Sequence, residues 1–344
     1  MKIPLTPPDA YKILTSAIDD DREKGLKLLT DFNPIDTKGR YLHWDKLRHL
    51  NPPGGFTTEQ WWSGVKFARR AIYKTTNFSN KDSNPFVFAT PDCVWRDLHW
   101  LDKQTAGNVS VNRQITSPQT KDTYLVRSLI NEAISSSQLE GATTTREIAK
   151  EMLRQGRKPQ DKSEQMIYNN YRAMEFIRDH SGDPLTQNLV LSLHRILTED
   201  TLDDPKSAGR YRSTRDNIHV FDERDGTTVH TPPDAQELPD RIRRLCQFAN
   251  DDNSKDFVHP IIRAIILHFM VAYDHPFKDG NGRTARALFY WSVAKNGYWI
   301  MEFISISEII KQAPAEYSRA YLYTETDDND LTYFIIHQLK VIRR

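Results

Sequence analysis

The chain has 344 residues, 38% of them hydrophobic and 10% aromatic, with 47 lysines and arginines against 46 aspartates and glutamates. That is enough apolar material for a packed core, which excludes global disorder, and length for about two domains at roughly 100–200 residues each. A formal net charge of +1 gives no electrostatic case for a protein that coats nucleic acid, although a small local basic patch stays open. Cys93 and Cys246 stand outside any C-x-x-C spacing, so neither a disulfide framework nor a cysteine-based zinc site is expected. The opening MKIPLTPPDAY has no apolar h-region. The most apolar stretch, Ile261 to Tyr273, is interrupted by Arg263 and His268 and is too short to span a bilayer. The expectation is a soluble, cytoplasmic chain with no membrane partner.

In chain order, Thr58 to Tyr73 is amphipathic and follows the breaker run Asn51-Pro52-Pro53-Gly54-Gly55. Polar, loop-like segments are expected from Thr75 to about Asn84 and from Gln104 to Asp122. Between them, Val94, Trp95, Leu98, Trp100 and Leu101 suggest a short helical or extended piece. From there the periodicity predicts helices over about 123–138, 144–154, 162–180, 186–199, 235–250, 257–273 and 280–296, then two or three more to Arg344. Thr186 is an expected N-cap and Gly297 an expected stop. One segment breaks the pattern: Asn217 to Phe221 and Thr227 to Thr231 flank a turn containing Asp225-Gly226, a β-hairpin signature. The trp pair Trp61-Trp62 suits an interface, but core packing is the preferred reading.

The informative run is His275-Pro276-Phe277-Lys278-Asp279-Gly280-Asn281-Gly282-Arg283-Thr284-Ala285-Arg286. Read physically, a helix stops before Pro276, a loop follows, and a new helix begins near Gly282. Gly280 and Gly282 permit a tight turn that exposes backbone N–H groups, and a helix start is a natural seat for phosphate oxygens. Arg283 and Arg286 fall on one face near that seat, where guanidinium groups suit phosphate. Asp279 offers a hard oxygen to Mg²⁺, and His275 can take a proton near neutral pH. Alone, each component is ordinary: a packing histidine, a plain Gly-Asn-Gly turn, a solvated arginine pair. Their dense combination is not. A zinc site at His259, His268 and His275 is disfavoured, because they lack the spacing of a zinc-binding helix pair.

The run resembles the signature of the Fic (filamentation-induced-by-cAMP) family, H-P-F-x-[DE]-G-N-G-R-x-x-R, at every specified position. Leu193-His194 with Leu197, the Gly209-Arg210-Tyr211-Arg212 segment, the hairpin, Pro232-Pro233, His268-Phe269 and the Tyr317 to Leu331 region fall in the family's order. The resemblance covers about residues 123–340 and extends weakly to Tyr41-Leu42-His43-Trp44 and Trp61-Trp62. It implies an all-α, Fic-type helical core with one β-hairpin flap over the active site, here residues 123–344, and an N-terminal helical extension, residues 1–122. It also implies Mg²⁺-dependent transfer of AMP from ATP to a Ser, Thr or Tyr hydroxyl of a target protein, and of the chain itself. His275 would be the base and Asp279 the Mg²⁺ ligand. Asn281, with the N–H groups of Gly280 and Gly282, would cradle the α-phosphate, Arg283 would bind the β-phosphate and Arg286 the γ-phosphate. Phe277 would anchor the loop. The flap, about 217–231, would receive the target by strand addition. Ile218 or Val220 would touch the adenine, with Tyr317 or Tyr321 on its other side.

Ser136 and Glu140 are four apart on one helical face, and Gly141 suits a helix stop. Alone, Ser-x-x-x-Glu-Gly describes a capped surface helix. Beside the signature it matches the family's inhibitory motif, [ST]-x-x-x-E-[GN], on a helix over 123–141 that precedes the core. The implication is that Glu140 pairs with Arg286 and misplaces the triphosphate. Other readings stay open: removal of AMP with Glu140 positioning water, transfer of UMP or phosphocholine, or a regulatory binding module with little catalysis. The intact Gly280 and Gly282 argue against phosphorylation. The extension is a candidate for shaping target access or for homodimerisation. Related proteins often carry a winged helix after the core; the sequence to Arg344 has no room for one, and without it a nucleic-acid partner is not expected.

Overall fold

The computed structural model describes residues 3–105, 118–222, 225–251, 256–298 and 304–344. Among these the chain is predominantly helical, with fifteen α-helices and two two-stranded sheets. It divides into two compact units, one of residues 1–98 with 315–340 and one of 99–314 with 341–344.

The first unit begins with α1 (Ala10–Asp20), α2 (Arg22–Thr30), α3 (Trp44–Leu47) and α4 (Thr58–Arg70). Thr57 and Gln60 close a capping box at the start of α4, which places the helix where the sequence expects it. Trp61 and Trp62 are buried with Leu47 and Val65, so the core reading of the pair holds. The stretch expected to be a loop from Thr75 to Asn84 is half strand, within β1 (Lys74–Ser79), and half the turn that leads into its antiparallel partner β2 (Pro85–Phe88). Its polar composition hides a strand because Phe78 is the one side chain β1 buries, while β2 buries Phe86 and Phe88. Next comes α5 (Asp92–Thr105). In this unit Lys66 pairs with Asp327 at 2.5 Å, and the Tyr41 hydroxyl donates to Asp330 at 2.5 Å.

The second unit runs through α6 (Pro118–Leu139), α7 (Arg146–Gln155), α8 (Lys162–Asp179) and α9 (Gln187–Thr198). The loop expected over 104–122 lies outside the described residues at 106–117, and its two ends are helical, in α5 and α6. Thr186 caps α9 through a bond from the Leu189 N–H at 3.1 Å. The hairpin is present as β3 (Val220–Phe221) and β4 (Thr228–His230), shorter than the sequence suggests, with Val220 opposite His230 and Phe221 opposite Thr228. Residues 223–224 of the expected flap lie outside the described residues. Asn217 is not a strand residue but a left-handed corner at φ 42°. Then follow α10 (Leu238–Asn250), α11 (Pro260–Asp274), α12 (Asn281–Lys295) and α13 (Ile306–Gln312), while α14 (Pro314–Thr326) and α15 (Thr332–Ile342) belong almost wholly to the first unit. Gly297 takes φ 77° just past α12, the expected stop. Nearly every residue of α11 and α12 is buried, α11 mostly with apolar side chains and α12 with Asn281, Arg283, Thr284 and Arg286 among its buried residues.

Candidate functional site

The loop between α11 and α12 is fixed from several sides. His275 ends α11 in the left-handed region at φ 45°, its N–H still bonded to the Val271 carbonyl at 3.1 Å. At the other end Gly280 takes φ 81°, and a Cβ there would stand 2.7 Å from Thr198 Cγ2, so this corner needs glycine twice over. Asn281 closes the loop on itself: its Oδ1 accepts the Phe277 N–H at 2.9 Å, and its Nδ2 donates to the Phe277 carbonyl at 2.8 Å. Phe277 is fully buried and stacks on His194, with ring centroids 3.7 Å apart and planes 5° apart. His194 Nε2–H donates to the Asp279 carbonyl at 2.9 Å, while Nδ1 accepts the Gly209 N–H at 2.9 Å. Arg212 donates through Nε to the His275 carbonyl at 2.8 Å, and its N–H reaches the Pro276 carbonyl at 2.9 Å.

His275 Nδ1 lies 3.3 Å from the Ala272 carbonyl. A carbonyl only accepts, so the neutral ring carries its proton on Nδ1 and leaves a lone pair on Nε2. Burial pushes the imidazole down to about 4. At neutral pH the ring is therefore uncharged and able to accept a proton.

The arginines sit below the start of α12. Arg283 is buried, donates to the Leu197 carbonyl at 2.7 Å and lies 3.8 Å from Asp279 Oδ1. Arg286, 2% exposed, donates Nε–H to the Ser136 hydroxyl at 2.9 Å, and its Nη2 donates both to the Ser136 carbonyl at 3.0 Å and to Glu140 Oε1 at 2.9 Å. A Cβ added to Gly282 would stand 2.2 Å from that same Oε1. The Glu140 carboxylate thus lies over the first turn of α12, where the positive end of the helix dipole and the guanidinium both attract an anion. Gly141 ends the segment at φ 91°.

The register of this contact repeats every four residues. Glu132 and Ser136 on α6, and Glu140 just past its end, face Tyr290, Arg286 and Gly282 of α12 in turn. Glu132 is buried and accepts bonds from the Tyr290 and Ser305 hydroxyls, both at 2.9 Å, from the Ser307 N–H at 3.1 Å and from the Ser307 hydroxyl.

The structure thus brings together His275, Asp279, Gly280, Asn281, Gly282, Arg283, Arg286, Ser136, Glu140 and Gly141. Two of the expected phosphate-cradle groups make bonds within the loop. The Asn281 side chain clamps Phe277, and the Gly280 N–H donates to Asp279 Oδ1 at 2.5 Å. The first intrahelical bond of α12 runs from Thr284 N–H to the Gly280 carbonyl, so the helix-start donors ahead of it are the N–H groups of Asn281, Gly282 and Arg283. Ile218 and Val220 are half-buried at the entry to the hairpin. Tyr317 and Tyr321 belong to the first compact unit, where their hydroxyls lie 3.1 Å apart and both rings pack against Phe334. His194, Arg212, Lys278 and Glu132 carry roles that reading residue by residue does not reveal. The first two were visible only as members of an ordered pattern, without their contacts.

The helical core thus opens an arginine-backed helix start beside a neutral histidine. Residues 184–293 match the Fic/DOC family, and this stretch is a Fic domain. Protein adenylyltransferase fic-1 of Caenorhabditis elegans is 30% identical over 116 residues, 34% of this chain and 20% of that protein. Protein adenylyltransferase Fic of Nematostella vectensis is 32% identical over 120 residues, 34% of this chain and 25% of that protein. The match therefore spans a fifth to a quarter of the length of these curated relatives. Among solved structures, a Fic family protein from Desulfovibrio desulfuricans superposes with a TM-score of 0.60 at 21% identity, covering 73% of this chain and 72% of that one. Fic-1 of C. elegans superposes with a TM-score of 0.56 at 17% identity, covering 99% and 88%. These two structures share the fold. Among the described residues, no helix is long and apolar enough to cross a membrane.

Proposed function

We propose that the chain is a protein adenylyltransferase that moves AMP from ATP to a Ser, Thr or Tyr hydroxyl of a target protein, and that Glu140 holds it in check. The observation that carries this reading is the Glu140 carboxylate lying over Gly282 and paired with Arg286 at 2.9 Å. An internal anion sits where a triphosphate would place its oxygens.

In the proposed reaction, His275 Nε2 takes the proton of the acceptor hydroxyl as its oxygen attacks the α-phosphorus. The bond from that phosphorus to the α,β-bridging oxygen breaks, and pyrophosphate leaves. The N–H groups of Asn281, Gly282 and Arg283 offer donors to the α-phosphate, and Arg283 and Arg286 neutralise the leaving end. The Asn281 side chain contributes by keeping the loop closed.

The residues present fit Mg²⁺. Asp279 is 56% exposed, and its carboxylate spends one oxygen on the Gly280 N–H. Mg²⁺ prefers one or two carboxylates supplemented by phosphate oxygens and water. Bound there, the ion would neutralise phosphate charge. Among the described residues no three or more His, Cys, Asp or Glu side chains gather to hold a metal without such help.

With Glu140 on Arg286, the γ-phosphate loses its guanidinium and the α-phosphate is not held in line for attack. The β3–β4 hairpin, with Phe221 53% exposed, would receive an extended segment of the target by strand addition. The free thiols Cys93 and Cys246 suit the reducing cytoplasm.

The test is to incubate wild type, Glu140→Gly and Glu140→Gly/His275→Ala with Mg-ATP and record intact masses. An AMP adduct on Glu140→Gly, weaker on wild type and absent from the double variant, is expected. No adduct on any of the three, with cell lysate supplied as target, would overturn the reading in favour of AMP removal, another nucleotide or a binding module.

A further inference from the structure

Lys278 occupies the position that the loop motif leaves unspecified, yet it does not project alone into solvent. Its Nζ lies 2.9 Å from Asp216 Oδ1 and 3.7 Å from Asp204 Oδ2. Asp216 is itself well held, with a side chain 15% exposed. Its other oxygen accepts the Ser213 N–H at 2.6 Å and the Ser213 hydroxyl at 2.8 Å, which closes the short turn Thr214–Asp216. The bond from Lys278, helped by those from Ser213, draws this carboxyl down to about 2. The next residue, Asn217, is the left-handed corner from which the chain enters β3. The place of Asp216 therefore sets where the hairpin begins.

We propose that the Lys278–Asp216 ion pair is a clasp that fixes the β3–β4 hairpin relative to His275, so that Lys278 is a positioning residue for the acceptor. The inference rests on reading the hairpin as the acceptor's docking edge. Neighbouring ties point the same way. Arg212, four residues before Asp216, holds the His275 and Pro276 carbonyls, and His230 of β4 donates Nε2–H to the Tyr273 carbonyl at 2.7 Å. The segment that carries the base, from Tyr273 at the end of α11 to Lys278, is thus bonded to both ends of the hairpin. Strands of two and three residues hold no fixed geometry by themselves, and an edge that aligns a hydroxyl against Nε2 has to be rigid. Two other roles are available to Lys278: a solvated charge, or a phosphate contact next to Asp279.

Amide hydrogen exchange over 217–222 and 225–231 separates the three. Lys278→Met, Asp216→Asn, the double variant and Lys278→Arg would be compared with wild type, with the affinity of each for Mg-ATP measured by calorimetric titration. A clasp predicts exchange about five-fold faster in each single variant, the scale of a well-held surface ion pair. The double variant should be no faster than either single one, because both remove the same contact. Lys278→Arg should exchange nearly as wild type, and Mg-ATP affinity should be unchanged throughout. Unchanged exchange in the single variants, or additive effects in the double, would overturn the clasp. Mg-ATP affinity falling in Lys278→Met with exchange intact would make Lys278 a nucleotide contact instead. The exchange result stands whether or not Glu140→Gly forms an adduct, so the clasp and the transferase reading fail separately.

Discussion

Replacing Gly282 by alanine should have opposite effects on stability depending on what stands at position 140. The backbone at Gly282 is helical, with no left-handed requirement, and a Cβ there would stand 2.2 Å from Glu140 Oε1, 3.0 Å from its Cδ and 3.1 Å from an Arg286 terminal nitrogen. The crowded neighbour is the end of a flexible side chain, 28% exposed, so Glu140 should swing out. What is lost is its charge-assisted bond to Arg286, about 1.5–3 kcal/mol for such a bond and nearer the low end for a group that reaches water. Arg286 keeps both of its bonds to Ser136. Against this, alanine gains over glycine in a helix, by about 0.5 kcal/mol in a first turn. Gly282→Ala should therefore destabilise wild type by about 1 kcal/mol but stabilise Glu140→Ala by about 0.5 kcal/mol, a coupling of roughly 1.5 kcal/mol. Urea unfolding of the four proteins reads this directly. An effect of the same sign and size in both backgrounds would refute the placement of the Glu140 carboxylate over the helix start. Adduct formation adds a second readout: Gly282→Ala should free Arg286 yet leave a methyl in the phosphate seat. Its yield should stay well below that of Glu140→Gly.

The neutral His275 gives a prediction by NMR. Its ring should titrate near 4 rather than 6.5, and a midpoint near 6.5 would mean the base is charged below neutrality. Linkage gives the matching stability statement. His43, His194 and His275 are each depressed to about 4, so the unfolded chain binds their protons first. The stability they provide is complete above about 6.5 and lost as pH falls toward 4. Asp274, raised by burial to about 6, opposes this between its ordinary 3.8 and 6. As a single group against three, it should leave the unfolding midpoint lower at pH 4.5 than at pH 6.5, and a flat profile would count against the shifts. His194→Gln should lower stability by about 2 kcal/mol, because the Gly209 N–H and the Asp279 carbonyl lose a two-sided partner and Phe277 its stacking ring. Thermal melts test it, and an unchanged midpoint would mean the loop holds without His194. Asp279→Asn should fold normally, the side chain being exposed, while losing Mg²⁺-dependent adduct formation in the Glu140→Gly background. Full retention would move the metal elsewhere.

What could be read along the chain and what could not divide by the range of the contacts involved. The loop from His275 to Arg286 was legible because its chemistry is contiguous: a proline stop, two glycines and a helix start fall within twelve residues. The helices of the second unit were legible from their apolar period and caps. The Glu140–Arg286 pair spans 146 residues, and only the resemblance to a family motif joins its two halves. Contacts with no such pattern stayed hidden. Lys278 reaches back to Asp216, Arg212 forward to His275, and Glu132 to Tyr290 and Ser307; none of these leaves a local signature. The strand β1 was missed for a related reason, since Lys74-Thr75-Thr76-Asn77 reads as a loop until β2 supplies a partner. Asn281 is the instructive case. The resemblance makes it a phosphate donor, while the structure shows the same amide turned inward to bond both backbone groups of Phe277, a loop-shaping role that no local pattern announces.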